Sequence, residues 1–102
     1  MTGKLIGYYR SYGKFKPDDK PDEIEFDNIV LQFLSELPDE HKKNQTIEGK
    51  RFKYTELKMK LKYFHDKVSL DVDRVSELED YIGRPFEWSY NEYGNVFKVD
   101  PL

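Results

Sequence analysis

Residues 56–64 have the sequence ELKMKLKYF, which is the clearest structural signal in the chain. Apolar side chains alternate there with Lys58, Lys60 and Lys62 without a break. Successive side chains of a β-strand point to opposite faces, so a period of two residues indicates a strand. We therefore predict a strand over residues 56–64 with one apolar face and one basic face, which residues 51–54 extend backward.

The chain before this strand contains two further long apolar segments. Residues 4–16 predict a strand in which Gly7 and Gly13 permit a sharp bend or a bulge. Residues 24–37 fit either an amphipathic helix or a strand whose parity switches at residues 27–28. Their Ile, Val and Phe content favours the strand with a bulge at that switch, and the helix stays open as the alternative.

The rest of the chain is predicted to contain a loop, a helix and a hairpin. Residues 38–50 form a long polar loop. The apolar stripe of residues 71–82 indicates a short helix that ends at Gly83, because glycine readily adopts the left-handed conformation of a C-cap. Residues 86–90 and 96–99 lie on either side of a tight turn, which is typical of a β-hairpin.

Length and composition limit the class of protein. The 102 residues, with a mass of 12.3 kDa, predict a single domain that spans residues 1–102. Aromatic residues make up 16% of the chain and alanine is absent, which favours strands over a helical bundle. The absence of cysteine excludes disulfide scaffolds and thiolate chemistry. No apolar run is long enough for a signal peptide or a membrane span, so we expect a cytoplasmic protein without a membrane partner.

The net charge of −3 conceals four blocks of alternating sign. Residues 1–16 carry a net charge of +4, residues 17–40 of −8, residues 41–67 of +6 and residues 68–102 of −5. A fold that brings the two basic blocks together would create a patch for an anionic ligand, and the acidic blocks would restrict where that ligand docks.

The predicted order of three strands, one helix and two strands resembles the oligonucleotide/oligosaccharide-binding (OB) fold. Residues 81–97, YIGRPFEWSYNEYGNVF, also resemble the helix end and last hairpin of small single-stranded DNA-binding OB proteins of phages and mobile elements. The resemblance implies a mainly β, five-stranded OB-like barrel with one helix between strands 3 and 4, and a binding face on strands 2 and 3. The acidic turn at residues 17–23 departs from that pattern, because its carboxylates would repel phosphate.

Nine residues are candidates for contact with single-stranded nucleic acid. Lysines at alternate positions of a strand lie about 7 Å apart, which suits the phosphates of an extended strand, and nearby rings offer stacking surfaces for bases. The nine are Tyr8, Arg10, Tyr12, Lys14, Tyr54, Lys58, Lys60, Lys62 and Tyr93. The alternative for the lysines is a solvated strand face that deters aggregation, and for Tyr8 and Tyr12 a cover over the end of the barrel.

Motifs for catalysis or metal binding are absent from the sequence. His41 and His65 are isolated, with no second ligand at the spacing that metal sites use. Glycine-rich phosphate loops and nucleophile motifs are missing as well. We therefore expect neither an enzyme nor a cofactor.

These patterns predict a non-enzymatic protein that binds single-stranded nucleic acid, with DNA as the expected ligand and little sequence preference. The resemblance implies an accessory role in the replication or transfer of a phage or mobile element. Because one small barrel contacts few nucleotides, a homo-oligomer is an expected form. The alternative is a protein-interaction module, such as a phage-type inhibitor or an assembly adaptor, that acts through the acidic blocks and exposed tyrosines. A helix at residues 24–37 would instead make the chain an α+β adaptor without a barrel.

Overall fold

The computed structural model of the protein describes residues 1–102, most of which lie in β-strands. The strands are β1 (Thr2–Phe15), β2 (Ile24–Leu37), β3 (Glu40–Lys42), β4 (Gln45–Ile47), β5 (Arg51–Lys60), β6 (Pro85–Tyr90) and β7 (Val96–Pro101). The helical segments are a 3-10 turn at Leu61–Tyr63, the one-turn helix α1 (Phe64–Lys67) and a 3-10 helix at Val75–Tyr81. None of them is long and apolar enough to cross a membrane.

Five strands form one antiparallel sheet in the order β5-β2-β1-β6-β7, while β3 and β4 form a separate small hairpin. The edge strands β5 and β7 do not pair, so the sheet is not closed into a barrel. A single parallel bridge between Val68 and Val99 links the chain just after α1 to β7. The prediction of a mainly β protein is therefore confirmed.

Residues 24–37 form a strand, and the helical alternative is wrong. β2 lies between β1 and β5 and is in register with both. The bulge predicted at residues 27–28 is absent, and the irregularity lies instead in β1, between Leu5 and Gly7. The parity switch in the sequence thus reflects a change in which face of β2 is apolar, without an extra residue.

The strand predicted over residues 56–64 starts earlier and ends sooner. β5 begins at Arg51, as the backward extension predicts, and stops at Lys60. The chain then turns so that Phe64 can bury its ring in the core. Alternation alone does not reveal this turn, because Leu61 and Tyr63 continue the apolar period of the strand.

Two further predictions need correction. The polar loop over residues 38–50 contains the β3-β4 hairpin. The helix predicted over residues 71–82 is a shorter 3-10 helix that begins at Val75. The chain before it is attached to β7, where the Ser69 N–H donates to the carbonyl of Val99 at 2.9 Å. The hairpin of β6 and β7 and the left-handed glycine after the helix, with φ of 89° at Gly83, are confirmed.

The hydrophobic core lies on one side of the sheet, which we call the covered face. The segment from Phe64 to Leu78, which we call the covering segment, packs there over side chains of all five strands. Phe33 is fully buried, and its ring centroid lies 4.6 Å from that of Trp88. Burial of each large apolar side chain contributes roughly 1.5–3 kcal/mol, so this face supplies most of the stability.

The opposite side of β1, β2 and β5 is the open face, and no helical segment packs against it. Residues that lie directly across from each other in a register share a face, which assigns the members of this side. They are Lys4, Gly7, Tyr9, Ser11, Gly13 and Phe15 of β1, Ile24, Phe26, Asn28, Val30, Gln32, Leu34 and Glu36 of β2, and Phe52, Tyr54, Glu56, Lys58 and Lys60 of β5.

Residues 12–15 and 24–27 pair only with each other, and we call them the ribbon. β6 joins β1 only at Thr2–Lys4, and β5 ends opposite Asn28, so neither strand reaches this far. The ribbon therefore has two free edges and extends the molecule, which measures 57 × 36 × 23 Å.

Candidate functional site

The open side of β5 combines exposed aromatic rings with two lysines. Phe52, Tyr54, Lys58 and Lys60 occupy alternate positions of the strand and are all exposed. No carboxylate lies within 4.0 Å of either ammonium group. The strand spaces the two lysines about 7 Å apart, so both charges remain free for an anionic ligand.

Tyr9 adds a third ring to this face from β1. It lies directly across from Val30, which in turn lies across from Lys58. Val30 is only 3% exposed although it is outside the core cluster, so its neighbours on the open face shelter it. The open face therefore has a small apolar floor at its centre, with an exposed ring on one side and an ammonium group on the other.

A chain of polar side chains crosses the centre of the open face. The Tyr54 hydroxyl donates to Glu56 Oε1 at 2.5 Å, and the Gln32 amide donates to the same oxygen at 3.5 Å. The hydrogen bond to Glu56 is the largest of the causes that raise the pKa of Tyr54, so its phenol stays protonated and its ring is tethered. A side chain at Gly7 would collide with the Gln32 amide, so the absence of a side chain at this position leaves room for the amide.

Three of the nine predicted residues meet on the open face. They are Tyr54, Lys58 and Lys60, which the alternation of β5 aligns. Lys62 does not join them, because the strand has ended and the residue sits in the 3-10 turn. Its ammonium group lies 5.0 Å from the centroid of the Tyr63 ring.

Four of the nine predicted residues lie on β1 and share one face, as their parity implies, but this face is the covered side of the sheet. The four are Tyr8, Arg10, Tyr12 and Lys14. Tyr8 lies in register with Leu31 and Arg10 with Ile29, both of which point into the core. Tyr12 and Lys14 continue this side into the ribbon. The expectation that these residues stand beside Lys58 and Lys60 is therefore corrected.

The bulge at Ile6 is the cause of this arrangement. The register of β1 shifts between Leu5 and Gly7, so Leu5 and Tyr8 point to the same side although their numbers differ in parity. Tyr9 is thereby turned to the open face. Sequence reasoning missed Tyr9 because it grouped the ring with Leu5, and Gly7 was the one signal of a possible shift.

Tyr8 is tied to the 3-10 helix at Val75–Tyr81. Its hydroxyl donates to Glu79 Oε2 at 3.0 Å. Desolvation, followed by this hydrogen bond, raises its pKa. A ring held in this way is a structural contact and is not free to stack on a base.

The cations of β1 are neutralised by carboxylates of β2. Arg10 donates two hydrogen bonds to Asp27, at 2.8 and 2.7 Å, and this pairing raises the pKa of Arg10 and lowers that of Asp27. The same guanidinium lies 4.4 Å from the centroid of the Tyr12 ring, which is 67% exposed. Lys14 lies 3.2 Å from Glu25.

Tyr93 lies at the far end of the sheet from the ribbon. It occupies the turn between β6 and β7 and is 80% exposed. The side chain of Asn91 accepts hydrogen bonds from the backbone N–H groups of Tyr93 and Asn95, which stabilises the turn and leaves the ring free. Tyr93 is therefore available to a ligand, but it is separate from the open-face cluster.

Two adjoining grooves lie where β5 ends. The edge groove, of about 830 Å³, follows the free edge of β2 in the ribbon and is lined by Tyr12, Lys60 and Lys62 among others. The basic groove, of about 540 Å³, lies between β1 and the covering segment. Its polar and charged lining includes Arg10, Lys62, His65, Asp73 and Arg74.

Comparison of the chain with protein-family models, with curated proteins and with solved structures finds no match. No group of three or more His, Asp or Glu side chains is placed to hold a metal ion. The geometry of the open face and of the two grooves is thus the basis for any functional assignment.

Proposed function

We propose that the protein binds single-stranded nucleic acid, with DNA as the expected ligand, on its open face and without catalysis. The observation that carries the proposal is the combination of Tyr9, Phe52 and Tyr54 with the unpaired Lys58 and Lys60 on a sheet surface that no helical segment covers. Exposed rings beside unpaired cations are the two elements that sequence-tolerant binding of single strands requires.

The rings would hold bases and the lysines would hold phosphates. Stacking of one base on an aromatic ring is worth roughly 1–3 kcal/mol, and it favours no base strongly because every base has a π-face. Each phosphate contact with a lysine releases counterions, so affinity falls as salt concentration rises. Binding by this face would therefore be weakly selective and strongly dependent on salt.

Acidic groups limit the path that the strand can take. Glu56 lies between the rings and the lysines, but its oxygen already accepts hydrogen bonds from Tyr54 and Gln32. The turn at residues 17–23, beyond the ribbon, carries four carboxylates and would repel phosphate. The ligand would therefore follow β5 and avoid the tip of the ribbon.

We also propose that the sheet is an open variant of the OB barrel, which supports the same function. The three-stranded meander of β1, β2 and β5 is followed by a helical segment, and β6 then pairs with β1. The parallel bridge between Val68 and Val99 joins the chain after β5 to β7, and β7 also lies near β5. In that fold, strands 2 and 3 form the oligonucleotide-binding face, and they correspond to β2 and β5 here.

The proposal is tested with fluorescently labelled oligo-dT of about 12 nucleotides, a length within the range that one OB domain contacts. We expect binding at micromolar protein in about 50 mM salt, and a steep loss of affinity by about 200 mM salt. The double variant Lys58→Glu/Lys60→Glu should lower affinity by at least about tenfold.

Lys53→Glu is the matched control, because Lys53 lies on the same strand with the opposite parity and is also exposed. It should bind as the wild-type protein does. No binding at low salt, or equal losses in the control and in the double variant, would refute the proposal.

A second candidate function, docking on a partner protein, is favoured by the tip of the ribbon. Phe15 and Phe26 are both exposed, with ring centroids 6.2 Å apart, next to the acidic turn. A partner with an apolar, basic surface would complement this pair. Immobilised protein would then retain one stoichiometric partner after nuclease treatment, and the variant Phe15→Ser/Phe26→Ser would lose that partner while keeping its affinity for oligo-dT.

A further inference from the structure

The basic groove on the covered side is separate from the open face and carries cations of its own. It lies between β1 and the covering segment, and its lining includes Arg10 of β1 together with Lys62, His65 and Arg74. These residues come from three parts of the chain that only the fold brings together. Arg74 did not stand out in the sequence, because it is a lone cation between acidic residues.

The cations of this groove outnumber its carboxylates. Arg10 is matched with Asp27, whereas Lys62 and Arg74 have no carboxylate within 4.0 Å. Asp73 is the single acid in the lining. Its neighbour Glu77 is already engaged, since it accepts a hydrogen bond from the backbone N–H of Asp73 at 2.8 Å. The groove is therefore locally positive on a protein whose net charge is −3.

The groove is continuous with the open face around the end of β5. Lys60 belongs to the open face and also lines the edge groove, and Lys62 lines both the edge groove and the basic groove. Lys58, Lys60, Lys62 and Arg74 thus form a series of unpaired cations that passes from one face of the sheet to the other. Tyr12 lies along this path with its ring exposed.

We propose that the basic groove is a second phosphate-binding site, which receives the same single strand after it leaves the open face. The strand turns around the end of β5, its phosphates contact Lys62 and Arg74, and one of its bases stacks on Tyr12. The guanidinium of Arg74 suits this role because its planar set of donors matches the oxygens of a phosphate. This inference rests on the proposed function, to which it adds a path and a second group of contacts.

The path makes affinity depend on the length of the oligonucleotide. A strand of about 4 nucleotides spans only the open face, whereas one of about 12 nucleotides reaches the basic groove, and both lie within the usual range for one domain. A longer oligonucleotide can occupy the open face in more positions, which alone raises its affinity by a statistical factor. The affinity of the longer oligonucleotide should therefore exceed that of the shorter one by more than this factor. The salt dependence should also become steeper, by about 0.7 in the logarithmic slope for each added phosphate contact.

The test measures both oligonucleotides with the wild-type protein, with Arg74→Glu and with the control Arg84→Glu. Arg84 is an exposed arginine outside both grooves, 5.0 Å from the Tyr81 ring. Arg74→Glu should lower the affinity for the long oligonucleotide by about tenfold, reduce its salt slope, and leave the short one unchanged. The control should change neither, and circular dichroism checks that both variants fold.

The outcomes separate this inference from the function on which it rests. If neither oligonucleotide binds the wild-type protein, the proposed function fails. If both bind and Arg74→Glu leaves the long one unaffected, the second site is refuted while the open face stands. A loss of equal size for both lengths also refutes it, because Arg74 would then act on the whole protein and not on an extended path.

Discussion

On the covered side of the sheet Arg10 and Lys14 are paired with carboxylates of the neighbouring strand, whereas on the open side Lys58 and Lys60 have no partner. The same contrast holds for the rings, since Tyr8 donates to Glu79 while Tyr9 is exposed beside a buried valine. Cations and rings therefore serve different purposes on the two sides of the same strands. Where they satisfy one another they hold the fold together, and where they do not they are available to a ligand.

The largest expected difference between the two faces is in stability. Phe33→Ala removes a fully buried ring from the covered face and should lower the free energy of unfolding by about 3–5 kcal/mol. Val30→Ala on the open face should cost clearly less, because it removes fewer atoms and its site adjoins solvent. Urea denaturation of both variants measures the comparison. Equal losses would mean that the open face is part of the core.

Tyr54 provides the corresponding test for binding. Tyr54→Ala should lower affinity for oligo-dT by about 1–3 kcal/mol, which is the usual contribution of one stacked base, with little change in stability. Phe97→Ala, which removes an exposed ring from β7, is the control and should leave affinity unchanged. Fluorescence anisotropy measures both. If the two variants behaved alike, exposure of the ring and not its place on the open face would explain the result.

A smaller effect is expected from the ion pair of Arg10 and Asp27, and it depends on pH. The guanidinium lowers the pKa of Asp27 in the folded state, so the pair stabilises the protein at neutral pH. This contribution declines as the pH falls below about 3.9, the usual carboxyl value, and through the lower folded-state pKa. Asp27→Asn should therefore lower the melting temperature at pH 7 and lower it less near pH 2. A difference that does not change with pH would contradict the ion pair.

The smallest expected effect concerns Tyr54 itself. Its hydrogen bond to Glu56 raises the pKa of the phenol, so Glu56→Gln should move that pKa down toward its ordinary value. Nuclear magnetic resonance titration of the Tyr54 ring measures the shift. Glu36→Gln is the control, since Glu36 is an exposed carboxylate opposite Phe52 on the same face and does not contact the hydroxyl. A shift of equal size in the control would mean that general charge, and not the hydrogen bond, acts on Tyr54.

Much of the secondary structure could be predicted from local pattern, because the pattern reports a local property. The alternation of β5, the apolar strand at residues 24–37 and the glycines after the 3-10 helix and in the last turn all act within a few residues. The end of β5 could not be predicted, since Leu61 and Tyr63 keep the period of the strand. What turns the chain at Lys60 is the burial of Phe64 against strands that are distant in sequence.

The candidate site was only partly accessible to sequence reasoning. Tyr54, Lys58 and Lys60 belong to one strand, and parity was enough to align them. Tyr9 was missed because the bulge at Ile6 changes the face on which it lies, and Arg74 because only the fold brings it beside Lys62.

The sequence by itself determined that the chain forms a small, mainly β domain with a basic strand flanked by aromatic residues. These properties follow from the residue types and from the two-residue period, and both can be read from a short stretch of sequence. Only the tertiary structure decided which side of each strand is covered, because one bulge at Ile6 exchanges the faces of all the residues that follow it in β1. It also decided which cations are neutralised, because a salt bridge requires that two strands meet in one particular register.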